Sequence, residues 1–283
     1  MLEHVGGVDH AVVLVRNLDD AAATWRSLGF TVAPRGLHSA PMGTGNHCVM
    51  LGRDYVELLG VLAPTEANAK WRAVLERREG ITAIALRAHD AAAGAAEMAA
   101  RGAAVQPVMR FGRPVTLPDG RHTETRFVTF HLSDLPAPGL RLFACQHLTP
   151  EATWVAGSMA HANGATGIAA IEILAADPAA GAAALATLLD STVEREADGA
   201  RRVPTGAAPL VFLDRAALAA RYPGLPTAAL EEGPAALALH TADPAAVEAS
   251  LRRAGIAAMA GPGGLAVPQA AATGVILAFR AAP

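Results

Sequence analysis

Two residues whose side chains can bind a metal ion or move a proton lie in short apolar runs of the sequence. His10 lies in VDHAVVLV and Glu57 lies in YVELLG, and both runs are typical of β-strands. An imidazole together with a carboxylate suits a divalent ion of borderline softness, or general acid–base chemistry. Regular alternation would give each side chain apolar neighbours on its own face: Val8, Val12 and Leu14 for His10, and Tyr55 and Leu59 for Glu57.

A glycine-containing loop between these two runs is a candidate for substrate binding. His38 and Asn46 flank it, and Gly43-Thr44-Gly45 can expose backbone N–H groups toward an anionic substrate. An ordinary turn explains the same residues equally well, since a glycine-containing loop is weak evidence by itself. His38 and Asn46 are therefore candidate substrate-binding residues, with both interpretations open.

A group of cationic residues follows further along the chain. An arginine in such a group can hold a carboxylate bidentately, although residues of this kind more often form a solvated rim. The group contains Arg110, Arg113, Arg121, His122 and Arg126. Arg113 and His122 are its candidate substrate-binding residues.

His147 is the remaining candidate for substrate binding. Alternation from Phe143 and Cys145 brings it to the same face at the end of a strand. Alternatively, it begins a linker and binds backbone groups there. Cys145 and Cys48 lie in apolar runs, which favours buried packing over a role as nucleophiles.

The elements that must position these residues occur four times along the chain. Each copy has an apolar run, an Asp that can begin a helix, an Ala-rich helical stretch and a second short apolar run, usually preceded by a Gly. The copies begin at Gly7, Gly80, Gly167 and Gly233. With two late strands, each copy predicts a β-α-β-β-β module. Only the first copy carries a histidine at the fourth position of its opening run, which locates the chemistry there.

In the first copy, Asp19 or Asp20 is the predicted helix cap, and Phe30 to Ala33 is predicted to form a strand. In the second copy, a strand is predicted near Val105. The predicted fold class is α+β, with four β-α-β-β-β modules in tandem. The irregular segment from His147 to Gly164 divides them into residues 1–160, with the expected site, and residues 161–283, a degenerate second pair.

Composition narrows the classes of partner. The formal net charge of −3 over 283 residues leaves no basic surface for nucleic acid. The N-terminal residues do not resemble a signal peptide, no apolar stretch is long enough for a membrane span, and only two cysteines occur. These features predict a cytoplasmic protein that does not bind membranes. The many alanines, with arginine far outnumbering lysine, indicate a bacterial source.

The first module resembles the opening of glyoxalase-like domains in the vicinal oxygen chelate superfamily. The similarity is carried by VDHAVVLVRNLDDAAATWRSLGFTV, by GLHSAPMGTGNHCVMLGRDYVELLG, and by FACQHLTPEATW followed by HANGA. This superfamily includes glyoxalase I, antibiotic-binding resistance proteins and extradiol dioxygenases. The resemblance implies that the modules pair into two open barrels, each of which can enclose a cleft.

The resemblance also implies a divalent metal ion held by a His from a module's first strand and a Glu from its last strand. His10 and Glu57 occupy those positions, and Glu57 would also be catalytic. The second module departs from the pattern, because Ala83 and Phe143 or Ala144 stand where donors are expected. Zn, Ni, Mn or Fe would therefore have an incomplete ligand set. The dioxygenase layout fails as well, since the aligned residues in the second pair are Ile168 and Ala236.

Two functions follow from this reading. The preferred one is a metal-assisted lyase or isomerase acting on a small, oxygen-rich organic substrate. The alternative is a metal-free protein that binds and sequesters a small, antibiotic-like molecule. A third possibility is that the second pair of modules exists mainly to pack against the first or to mediate a homodimer.

Overall fold

The strands form two eight-stranded mixed sheets in the computed structural model, which describes residues 1–117, 119–133 and 137–282. The first sheet contains β1 (Val5–Val15), β2 (Gly36–Leu37), β3 (Thr44–Met50), β4 (Tyr55–Val61), β5 (Gly80–Ala88), β6 (Met109–Thr116), β7 (His122–His131) and β8 (Leu142–His147). The second contains β9 (Ala165–Leu174), β10 (Glu194–Arg195), β11 (Arg201–Val203), β12 (Leu210–Leu213), β13 (Gly233–Thr241), β14 (Met259–Gly261), β15 (Gly264–Val267) and β16 (Ile276–Ala281).

Both sheets have the same strand order. The first runs β2-β3-β4-β1-β5-β8-β7-β6, and the second runs β10-β11-β12-β9-β13-β16-β15-β14. In each sheet the first strands of two modules pair antiparallel at the centre, and each also pairs in parallel with the last strand of its own module. This arrangement confirms the α+β fold with four β-α-β-β-β modules paired into two open barrels.

Six helices accompany the strands. They are α1 (Leu18–Ser27), α2 (Ala69–Leu75), α3 (Ala91–Ala100), α4 (Pro178–Leu189), α5 (Arg215–Arg221) and α6 (Pro244–Arg253). The Asp caps predicted for three modules are confirmed at Asp90, Asp177 and Asp243, whose carboxylates accept from backbone N–H groups of the first turn. Helices α2 and α5, which join the modules of each pair, were not predicted.

Some local predictions were wrong. The cap of α1 is Asn17, which accepts from the N–H groups of Asp19 and Asp20. The segment Phe30 to Ala33 forms no strand, and β2 follows it instead. Val105 makes only an isolated bridge to Leu132, so the second strand of that module is β6.

A β-bulge in β1 changes the face on which its side chains lie. Val8 pairs with Leu86 and His10 pairs with Ala85, so three residues of β1 oppose two residues of β5. The extra residue is Asp9. The predicted alternation therefore fails at this point: Val8 packs in the main core, whereas His10 lies in the barrel interior, beside Tyr55.

The main hydrophobic core is continuous between the two sheets. It includes residues of both, among them Ala11 from β1, Ile171 from β9 and Leu237 from β13. Trp25 of α1 is fully buried, and its indole N–H donates to Thr273 Oγ1 at 2.9 Å, which joins the halves of the chain. The division at residue 160 falls between β8 and β9. It stays a proposal, since one hydrophobic core includes residues from both sides of it.

Among the described residues, no helix has the length and apolar character needed to span a membrane.

A buried carboxyl group also joins the two halves. The backbone N–H of Ile168 in β9 donates to Asp54 Oδ1 at 3.0 Å, and Asp54 is 7% exposed. Burial raises the pKa of Asp54 from 3.8 to about 6, even though the Ile168 hydrogen bond and the charge of Arg87 act in the opposite direction. The ionised form is therefore the one that the folded protein disfavours.

We expect Asp54→Asn to stabilise the protein at pH 7 and to flatten its stability profile between about pH 4 and pH 6. The folded state holds the Asp54 proton up to about pH 6, while the unfolded chain loses it near 3.8, so stability falls as the pH rises through this window. Asparagine is neutral and still accepts from Ile168, so we expect about 1–3 kcal/mol more stability at pH 7.

Chemical denaturation at a series of pH values measures this effect. Glu248→Gln, which removes an exposed carboxyl group on α6, is the control and should leave the profile unchanged. A variant at Asp54 whose stability falls equally at every pH would contradict the assignment.

Candidate functional site

Glu57 lies at the centre of a polar group inside the first barrel. Its side chain is 12% exposed, and its Oε1 atom accepts a hydrogen bond from Asn46 Nδ2 at 2.7 Å. His10 Nε2 lies 3.7 Å from Oε2, and His38 Nε2 lies 3.8 Å from Oε1. Glu57 on β4, Asn46 on β3, His10 on β1 and His38 just after β2 are thus brought together.

Contacts with Asp9 and Tyr55 fix the orientation of the His10 imidazole. Its Nδ1–H group donates to Asp9 Oδ2 at 2.8 Å, and its ring stacks on Tyr55 with centroids 4.2 Å apart. Since an ionised carboxylate can only accept, Nδ1 carries a proton, which in the neutral imidazole leaves the lone pair on Nε2. That lone pair faces Glu57 and the hydroxyl of Tyr55, which lies 3.5 Å away.

Asp9 belongs to this polar group, although the sequence pattern did not single it out. It is fully buried, and its carboxylate accepts from His10, from His147 Nε2 at 2.9 Å and from Arg87 Nε at 3.1 Å. Burial alone would raise the pKa of Asp9, but the hydrogen bonds and charges of His10 and His147 hold it well below its usual range. The sequence shows that Asp9 is next to His10. It does not show the β-bulge that brings the two side chains into contact.

His147 reaches the barrel interior at the end of β8. Besides its bond to Asp9, its ring lies 4.8 Å from the ring of Trp154 and 5.2 Å from that of Phe127. Three buried polar atoms of this region have no hydrogen-bond partner within residues 1–117, 119–133 and 137–282: Asn46 Oδ1, His147 Nδ1 and Trp154 Nε1. Buried polar atoms are normally paired, so these atoms are available to a polar ligand.

Arg113 approaches the same group because residue 36 is a glycine, which has no side chain to occupy the space. A Cβ atom at Gly36 would lie 2.6 Å from Arg113 Nη1 and 2.5 Å from Asn46 Oδ1. Burial lowers the pKa of His38; the charge of Glu57 opposes this shift, and the charge of Arg113 adds to it, so the neutral form of His38 is favoured. Within the described residues, Arg113 forms no ion pair.

The other cationic residues lie away from this group. His122 is exposed at the tip of the β6–β7 hairpin, where its Nδ1 atom lies 3.0 Å from Thr116 Oγ1. Arg121 pairs with Asp119 at 2.7 Å. Arg110 and Arg126 are also exposed. Successive side chains of the long hairpin lie on opposite faces, and its tip extends away from the barrel. Of these cationic residues, only Arg113 therefore lies near Glu57.

Both cysteines and His161 have structural surroundings. Cys48 and Cys145 are free and buried, and burial raises the pKa of Cys48 to about 12 and that of Cys145 well above its usual range. Neither thiol is therefore ionised at neutral pH. His161 accepts from the N–H of Thr31 at 3.0 Å and its Nε2 atom lies 2.8 Å from the carbonyl oxygen of Met50, which fixes the connector between the halves.

The donor types suit a divalent metal ion. Glu57 lies near His10 Nε2 and near His38 Nε2, and a carboxylate holds the other nitrogen of His10, as is usual for metal-bound histidines. Two donors at about 2.1 Å from one ion lie at most about 4.2 Å apart, and Glu57 meets this limit with each imidazole separately, through Oε2 for His10 and Oε1 for His38. The three residues do not have ligand atoms that all lie within 4.8 Å of one another in the described part of the chain. A second group, Asp9, His10 and His147, has ligand atoms within 4.8 Å of one another.

The second module supplies no metal donor at the corresponding positions. Ala83 packs with Val12 and Leu14 in the barrel, and Phe143 stacks on His131 with centroids 4.9 Å apart. Any bound ion would therefore depend on the first module and on residues outside the expected pattern.

The interior of the second barrel contains an ion-pair network that the sequence analysis did not foresee. Glu172 of β9 is fully buried and accepts from Arg221 Nη1 at 3.0 Å and from Arg280 Nη2 at 2.5 Å. Tyr222, also fully buried, packs beside Leu218 and Leu225. Side chains of α5 thus fill this barrel, whereas the first barrel keeps its polar group around Glu57.

Comparisons with known proteins show the same architecture. A hypothetical protein from Staphylococcus aureus aligns over 97% of this chain and 99% of its own, with 12% identity and a TM-score of 0.68. A mutant of 4-hydroxymandelate synthase from Streptomyces coelicolor aligns over 92% of this chain and 78% of its own, with 16% identity and a TM-score of 0.58. At such identities these likenesses show the fold alone. No curated protein sequence matches the chain.

A family model described as a glyoxalase-like domain matches residues 8–189. The match includes all of the first barrel and extends through β9 and α4 of the third module. It covers well over half of the chain and includes the polar group around Glu57. The chain therefore belongs to the glyoxalase-like domain family, within the vicinal oxygen chelate superfamily that its repeated modules predicted.

Proposed function

We propose that the first barrel is the active site of a metal-assisted lyase or isomerase acting on a small, oxygen-rich organic substrate. The observation that carries this proposal is the geometry at Glu57. Its carboxylate lies between two imidazoles, 3.7 Å from His10 Nε2 and 3.8 Å from His38 Nε2. A carboxylate placed in this way can share a metal ion with the imidazoles and can move a proton.

His10, Glu57 and His38 are the residues that would hold a divalent ion, which we propose to be Zn, Ni, Mn or Fe. A bound ion would polarise adjacent oxygens of the substrate and so make a neighbouring C–H group more acidic. Two neutral imidazoles with one carboxylate are donors that ions of this class accept.

Glu57 is the proton carrier in this proposal. Asn46 holds one carboxylate oxygen, which fixes the direction of the other, and the low exposure of the side chain limits competition from water. Taking a proton from one carbon and returning it to another gives isomerisation, whereas loss of a leaving group from the adjacent carbon gives a lyase reaction. Arg113 supplies positive charge where negative charge develops on the substrate oxygens.

Asp9 acts through His10 as a positioning residue. Because its carboxylate accepts the Nδ1–H of His10, it holds the Nε2 lone pair toward Glu57. Tyr55 packs against one face of the His10 ring and restricts its rotation. His147 and Trp154 form the adjacent wall and present polar atoms without partners to the substrate.

A metal-free binding protein is the second candidate. It is favoured by the second module, where Ala83 and Phe143 provide apolar surface in place of donors. In this function the cleft would hold a small organic molecule through Arg113, His38 and apolar contacts, without chemistry. Saturable binding of such a molecule that is unaffected by EDTA would support it over the enzyme.

We expect the purified protein to bind one equivalent of a divalent ion after removal of endogenous metal. Calorimetric titration with Zn, Ni, Mn and Fe(II) measures this. His10→Ala and Glu57→Gln should each weaken binding at least about tenfold, because each removes one donor. His122→Ala, an exposed histidine outside the polar group, should bind as the unmodified protein does.

The same titration distinguishes the two donor groups. If His147→Ala abolishes binding while Glu57→Gln retains it, the ion belongs to Asp9, His10 and His147. The absence of stoichiometric binding in the unmodified protein would overturn the metal-assisted reaction and leave the binding function.

We expect the protein to exchange carbon-bound protons of its substrate class with solvent. The measurement is ¹H NMR in D₂O on a panel of small 2-hydroxy and 2-oxo carbonyl compounds, which shows exchange without knowledge of the complete reaction. Glu57→Gln should reduce the rate by about 10²–10⁴-fold, because the amide cannot accept the proton. Unchanged exchange in that variant would remove Glu57 from the proton transfer.

A further inference from the structure

Two cations lie close to one aromatic ring at the edge of the first barrel. Trp71 is on α2, and the Nζ atom of Lys70 lies 4.8 Å from its ring centroid. The guanidinium carbon of Arg141, just before β8, lies 5.3 Å from the same centroid. Lys70 is the sole lysine of the chain. The ring therefore brings together two positive charges from separate elements.

No acidic side chain compensates these charges within the described residues. Arg77 and Arg78, which follow closely in the sequence, both pair with Glu231. Neither Lys70 nor Arg141 forms an ion pair with any described residue. Partial burial and the charge of Arg141 lower the pKa of Lys70. The cations thus repel one another, and an anion between them would relieve the repulsion.

This position is connected to the polar group around Glu57 through aromatic side chains. Phe143 makes an edge contact with His10, with centroids 5.3 Å apart, and stacks on His131 at 4.9 Å. Burial and, to a smaller extent, the charge of Lys70 lower the pKa of His131 to about 4, so Lys70 is near this ring. Trp71 and Phe143 pack against the same apolar cluster of the barrel.

We propose that Lys70 and Arg141 form a subsite for an anionic group, a carboxylate or a phosphate, at the outer end of the substrate cleft. The inference rests on the proposed function and specifies its substrate as an organic acid. Its reacting oxygens would lie at Glu57, and its apolar part would lie along Phe143. Arg141 can bind the anion through a fork of two N–H groups, while Lys70 acts as a point charge.

Titration of the EDTA-treated, full-length protein with benzoate, and separately with inorganic phosphate, tests the subsite. Tryptophan fluorescence at constant ionic strength is the readout, because an anion there lies beside Trp71, and calorimetry gives the affinity independently. Benzoate and phosphate distinguish an anion attached to an apolar body from a free anion. We expect saturable binding of at least one of the two.

Charge-removing variants identify the residues. Lys70→Met and Arg141→Met should each weaken binding about tenfold, because each loses a charge-assisted hydrogen bond. Arg141→Lys should keep part of the affinity. Arg110→Met is the matched control, since it removes one exposed positive charge from the same barrel, and it should bind as the unmodified protein does. The absence of saturable binding, or equal affinity in the Lys70/Arg141 double variant, would overturn the subsite.

The subsite and the proposed function can fail separately. Glu57→Gln should retain anion binding, because binding at Lys70 and Arg141 needs neither Glu57 nor a metal ion. Anion binding with no solvent exchange on any substrate would support the subsite while contradicting the reaction. The opposite result is also possible. If Glu57→Gln loses the exchange while the Lys70/Arg141 double variant keeps both the exchange and its KM, the reaction is supported and the subsite is contradicted.

Discussion

The buried carboxylate of Asp9 is the interaction on which the first barrel depends. A charge removed from water is tolerated only when it is paired and hydrogen-bonded, and Asp9 accepts from three side chains. These side chains come from β1, β5 and β8. Asp9 therefore sets the position of His10, the direction of Arg87 and the end of β8 together. The β-bulge at this residue is the local distortion that makes the arrangement sterically accessible.

The two barrels have the same strand order but different polar groups in their interiors. Each receives a helix between its modules, α2 or α5. In the second barrel, Glu172 is neutralised by Arg221 and Arg280, and Tyr222 fills the interior. In the first, Glu57 faces imidazoles and an amide, and Arg113 stands near without a carboxylate of its own among the described residues. The carboxylate of the second barrel is thus balanced by two guanidinium groups, whereas that of the first lies among groups that can bind a metal ion or a substrate.

The connector between the barrels contributes to the first cleft. Trp154 lies beside His147 and Tyr55, and His161 is held by Thr31 and Met50. Residues beyond the last strand of the first sheet therefore help to build its wall. Because the main core is continuous with the second sheet, the second half of the chain supports this wall as well as packing behind it.

Local sequence determined the four modules, the first strand and helix of each, and three of the helix caps, because alternation, Asp at N-caps and repetition are patterns of the sequence itself. It also singled out His10, Glu57, His38, Asn46, Arg113 and His147, which the structure brings into the first barrel around Glu57 and Asp9. It did not identify Asp9, because a bulge depends on the register between β1 and β5. It placed His122 with Arg113, although the length of the β6–β7 hairpin carries His122 out to its exposed tip. The approach of Arg113 to Asn46 across Gly36, like the convergence of Lys70 and Arg141 on Trp71, was decided only by tertiary packing, since these contacts join segments whose separation no local pattern records.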